Sequence, residues 1–132
     1  MATENFVYLT VDEAVKFHVL YMLKVGETRF GVFDKNLVES ALMRPRHAAI
    51  YENADIIRQA ATLLFGLIKS HPWEGGNKRT ATFLTNLFLK RNGYKIFAST
   101  SEIIQLCLKI ESDDWKVDEV KNWLRDKVKD LQ

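Results

Sequence analysis

Along most of this chain apolar and polar residues alternate with the three-to-four-residue period of helices lying on a core. Thr10 and Glu13 carry the signature of a capping box and open a helix reaching about Val25, where Gly26 stops it. Asp34 is placed to cap a short second helix through Leu42, with Pro45 beyond its end. Asp55 opens a longer helix to about Ser70, with Ile57, Ala60, Ala61, Leu64 and Ile68 on one stripe. After Ala60 it turns apolar nearly all round, which predicts a central position. Asn77 opens the next helix, with Ala81, Leu84, Leu87 and Phe88 facing inward and Gly93 as a left-handed stop. Ser99 and Glu102 repeat the capping box before a helix to about Ser112, and a last amphipathic helix is predicted from Asp118 towards Leu131. Strand signals are confined to residues 5–9 and 28–33, both short. The pattern predicts an all-α bundle, one domain over residues 1–132, with at most a short β-hairpin.

Composition changes this picture little. Of 132 residues, 47% are apolar, enough for a real core. A net charge of +2 is too small to argue for nucleic acid or a membrane surface as partner. The single cysteine, Cys107, excludes an internal disulfide and sits among Leu106, Leu108 and Ile110 as a small buried apolar residue. No Arg-rich leader, signal peptide or long apolar span is recognisable, so the expectation is a cytoplasmic protein.

The chemistry concentrates in His71-Pro72-Trp73-Glu74-Gly75-Gly76-Asn77-Lys78-Arg79-Thr80, between the two most apolar helices. A helix start offers unpaired N–H groups with positive partial charge. Gly75 and Gly76 let the backbone approach a ligand, and Lys78 and Arg79 add cationic donors. His71 is the side chain suited to proton transfer near neutral pH. A base beside a phosphate cradle points to group transfer from a nucleotide. The chain has neither a P-loop nor G-x-G-x-x-G.

These residues resemble the Fic/Doc superfamily, and within it the death-on-curing toxins, whose motif reads H-P-F-x-D/E-G-N-K-R-T-A. The resemblance extends to Tyr8-Leu9-Thr10-Val11-Asp12-Glu13, to residues 34–42 followed by Arg44-Pro45, and to Asn92-Gly93-Tyr94. It implies a helical bundle in which two central helices frame the active loop. It also implies a toxin of a toxin–antitoxin pair that moves phosphate from ATP onto a hydroxyl of a translation protein, such as elongation factor Tu. AMP transfer is the nearest alternative. A small Phd-like antitoxin is the implied partner, and no internal inhibitory motif of the Fic kind is found. By position, His71 would be the general base. Gly75, Gly76, Asn77, Lys78 and Arg79 would hold the phosphates, with the Asn77 side chain fixing the loop. Trp73 replaces the family phenylalanine that plugs the loop into the core.

The main departure is Gly75, where the family has the acid that holds magnesium. Glu74 stands one residue early and is the remaining candidate ligand for Mg2+. The departure leaves a non-catalytic binding module as a further alternative. Phe30, Gly31 and Phe33 fall where Fic proteins carry a flap that docks the target as an added strand; ordinary edge packing is the other reading. His18 reads as a packing residue, Arg44, Arg46 and His47 as a solvated loop, and Lys69 as a solvated charge. Trp115 and Trp123 are expected to anchor the last helix.

Overall fold

A computed structural model describes residues 5–131 and is predominantly helical. Six helices run in the order α1 (Val11–Lys24), α2 (Lys35–Glu52), α3 (Ile56–Ser70), α4 (Asn77–Arg91), α5 (Thr100–Glu111) and α6 (Val117–Lys127). Two three-residue strands, β1 (Tyr94–Ile96) and β2 (Val128–Asp130), form an antiparallel pair with Lys95 opposite Lys129. No helix among the described residues is long and apolar enough to cross a membrane.

The caps form as the sequence predicts. In α1 the Thr10 hydroxyl accepts from the Glu13 amide at 3.1 Å and the Glu13 carboxylate accepts from the Thr10 amide at 3.0 Å. Ser99 and Glu102 do the same for α5. Asp55 caps α3, of whose 15 residues eleven are buried, so this helix is the centre of the bundle. It packs against α2, α4 and α6. A continuous apolar core runs from Leu9 to Val128 and takes in Leu63, Leu64, Leu67, Leu84, Phe88, Ile110 and Leu124. The buried Gln59 side chain is satisfied at both ends: it accepts from the Tyr8 hydroxyl at 2.8 Å and donates to the Ala54 carbonyl at 3.1 Å.

Three expectations are corrected. First, α2 does not stop at Leu42 but continues through Pro45 to Glu52, so Arg44, Arg46 and His47 stand on a helix rather than a loop. An internal proline costs about 3 kcal/mol. Here Val38, Ala41, Leu42, Pro45 and Ala48 all bury along one face, and that packing outweighs the lost bond. Second, residues 5–9 form no strand. The Asn92 side chain pairs with both backbone groups of Val7, accepting at 2.8 Å and donating at 2.9 Å, which supplies locally what a partner strand would. Third, the last helix ends at Lys127; Val128 turns extended and buries its side chain beside β1.

Candidate active site

The loop between α3 and α4 is built by those two buried helices. His71 ends α3 in the left-handed conformation, φ 49°. A non-glycine residue there is uncommon and needs surrounding contacts to hold it. At Trp73, two residues further on, the loop is held by Asn77 of the next helix. Its side chain accepts from the Trp73 amide and donates to the Trp73 carbonyl, each at 3.0 Å, closing the loop on itself. Trp73 is buried with 2% exposure, so the larger ring does pack. Its indole N–H finds no hydrogen-bond partner among the described residues.

The segment 28–33 lies along this loop. It forms no hairpin but makes one antiparallel bridge, Val32 to Trp73. Around it the Glu74 amide donates to the Gly31 carbonyl at 2.8 Å and the Phe33 amide to the Pro72 carbonyl at 2.9 Å. Beneath both sits His18, fully buried. Its Nε2 accepts from the Gly31 amide at 2.9 Å, which requires the proton to be on Nδ1, facing the Thr80 hydroxyl at 2.8 Å. The imidazole stacks on Trp73 at 4.2 Å, and burial pushes its pKa down to about 4. Sequence reading placed His18 in the packing; the structure adds that it ties α1, α4, segment 28–33 and the α3–α4 loop together. The three residues expected to dock a target separate: Phe30 meets the His18 ring, both backbone groups of Gly31 are engaged, and Phe33 stands 65% exposed.

Two glycines shape the floor. Gly76 takes φ 66° as the N-cap of α4, and a Cβ there would overlap the Met22 sulfur. It gives no side-chain cap, so the first amides of α4 are left for an outside acceptor. A Cβ at Gly75 would overlap the backbone carbonyl of Arg29. A family-type acid therefore does not fit at 75 as the backbone stands. Gly75→Asp should displace the Arg29 turn at a cost of about 1–3 kcal/mol. Thermal melting, with faster amide exchange at Glu74, checks this. A variant that melts with the wild type would show that the turn yields freely and that the acid can be restored. Glu74 is exposed, and the described residues hold no group of three or more His, Cys, Asp or Glu suited to a metal. The residues present thus lack the carboxylate that the family uses for magnesium.

Around the open helix end stand His71, Lys78 and Arg79, each about half exposed. Arg79 lies 3.8 Å from Glu27. Lys78 lies 3.2 Å and 3.3 Å from the two oxygens of Glu111, and His71 Nε2 lies 3.5 Å from the nearer one. The hydrogen bond to Lys78 is the main reason the Glu111 carboxyl sits below its usual range, and desolvation opposes it. Sequence reading missed Glu111. Its signal was an acid in the last turn of a helix, where the dipole disfavours it. Lys69 is also paired, 2.6 Å from Asp113. From the two cations a groove of about 500 Å³ runs between α4 and α5, lined by Thr82, Phe83, Ile103, Ile104 and Cys107. Burial pushes the pKa of the Cys107 thiol in this wall up.

The structure thus sets an uncapped helix start, an imidazole and two cations on one loop between two buried helices of an all-helical scaffold. The Fic/DOC family profile matches residues 8–89, well over half of the chain, and this protein belongs to that family. Among curated proteins it is similar to the protein kinase doc of Escherichia phage P1, 28% identical over 119 residues, which cover 89% of this chain and 93% of the relative.

Proposed function

We propose that this protein is a Doc-type toxin that transfers the terminal phosphate of ATP to a hydroxyl of a translation protein, an elongation factor Tu-like target. The observation that carries the reading is the meeting of His71, Lys78 and the uncapped α4 N-terminus in a Fic/DOC chain related to a protein named as a kinase. In this reading His71 takes the proton of the target hydroxyl as its oxygen attacks the terminal phosphorus; the bond to the bridging oxygen breaks and ADP leaves. Lys78, Arg79 and the amides around Gly76 and Asn77 neutralise the phosphate oxygens. Asn77 holds the loop still, through its two bonds to Trp73. The groove beyond the cations suits the sugar and base, or the segment of a Phd-like antitoxin that excludes them. Phe33 is the exposed flap side chain a target strand would meet. No step is assigned to a metal, since no carboxylate stands at residue 75.

Incubation with a translation extract and ATP labelled at the γ or α phosphorus tests the reading. The γ label is expected on one protein band and the α label on none. Transfer of the α label would make the protein an AMP transferase. Transfer of neither would leave it a binding module.

A further inference from the structure

Glu111 is the last residue of α5 and Lys78 lies in the first turn of α4, so each charge sits on the unfavourable pole of its own helix. Neither helix accounts for its charge, but the two charges account for each other, with both Glu111 oxygens on one ammonium and His71 Nε2 beside them. The contact is held from both sides. Two residues before His71, Lys69 binds Asp113, two residues after Glu111, at 2.6 Å. Lys116 meets the same Asp113 oxygen at 3.4 Å, and the Trp115 amide closes the turn on the Lys109 carbonyl at 3.0 Å. The backbone that carries Glu111 is therefore tied down beside the contact, and the carboxylate itself is held by Lys78 and His71.

We propose that Glu111 is a built-in anion that occupies the phosphate site of the ligand-free protein, holding Lys78 and His71 in place and competing with an incoming polyphosphate. This rests on the phosphate-site reading above. A polyphosphate reaching Lys78 and the α4 amides brings like charge within a few ångströms of Glu111, so Lys78 must leave one anion for the other. The carboxylate thus keeps the cations from collapsing onto other surface acids, and it lowers affinity for the ligand they serve. Glu111 is a positioning residue: it acts through Lys78 and His71 and touches no reacting atom.

Calorimetric titration of the full chain with inorganic triphosphate and with ATP tests this on wild type, Glu111→Gln, Lys78→Gln and the double variant. Glu111→Gln keeps the side chain's shape and removes its charge. It is expected to tighten triphosphate binding about two- to fivefold at low salt, the range of an exposed ion pair. The gain should shrink as salt is raised and vanish in the Lys78→Gln background. Equal or weaker binding by Glu111→Gln, with wild type binding normally, overturns the role of Glu111 and leaves the phosphate site standing. If neither wild type nor Glu111→Gln binds triphosphate or ATP, the phosphate-site reading falls, and this proposal with it. A gain that survives Lys78→Gln assigns the effect to general surface charge and also overturns the proposal.

Discussion

His71→Ala is expected to lower phosphate transfer by about 10²–10⁴-fold, the range a positioned general base supplies. The loss should fall on kcat more than on KM. The imidazole reaches the site from the end of α3 but is half exposed and belongs to no part of the buried core. Its backbone, not its ring, ends the helix, and the left-handed conformation it adopts costs alanine only about 1 kcal/mol more. The variant should therefore fold and bind ATP, through Lys78, Arg79 and the α4 amides. Growth arrest gives a second readout: cells expressing His71→Ala should grow while those expressing the native chain stop. His71→Asn provides the control for backbone strain, since asparagine tolerates the left-handed region and cannot act as a base near neutral pH. If both variants arrest growth and transfer label as the native protein does, the base is not His71. If both bind ATP normally and transfer nothing, the loss lies in proton transfer rather than in nucleotide capture.

Much of this architecture was legible because local signals agreed with one another. The two capping boxes, the Asp34 and Asp55 caps and the apolar α3 all stand where the pattern of residues puts them. What was missed depends on contacts between distant residues. Pro45 reads locally as a helix stop, yet it is buried in the fold and the helix runs on. The side-chain pairing of Asn92 with Val7 has no local period. The β1–β2 pair joins segments more than thirty residues apart, each too short to show alternation. In the candidate site the loop residues were legible as a contiguous motif, including the Asn77 side chain that fixes them. Glu111 and Asp113 were not, because their meaning comes from the packing of α5 beside the end of α3. Gly75 is the intermediate case. Its departure from the family was visible at once, whereas its reason, the Arg29 carbonyl occupying the space of a Cβ, is three-dimensional.

Acidification is expected to loosen the site before it unfolds the bundle, and His18 is the reason. Its pKa of about 4 lies below the ordinary value of 6.5, because burial disfavours the charged ring. The unfolded chain therefore binds a proton that the folded chain refuses. The stabilisation from the neutral ring is complete above about pH 6.5 and is lost progressively as pH falls towards 4, by up to about 3 kcal/mol. Protonation also removes the lone pair on Nε2 that accepts from the Gly31 amide, so the flap loses its inner anchor. Denaturant melts between pH 7 and pH 5 should show stability falling with a slope that disappears in His18→Phe. That variant keeps an aromatic ring against Trp73 but leaves the Gly31 amide and the Thr80 hydroxyl without their partner. It is expected to be about 2–4 kcal/mol less stable at pH 7, since each orphaned group costs about 1–3 kcal/mol. The carboxyl groups held low by their partners, Glu13, Glu102, Asp118 and others, titrate below this window and do not imitate the effect. Amide exchange locates it: at pH 5 the Gly31 and Glu74 amides should lose protection before those of α3. If stability is flat from pH 7 to pH 5, or falls equally in His18→Phe, the buried imidazole is not what couples the flap to the fold.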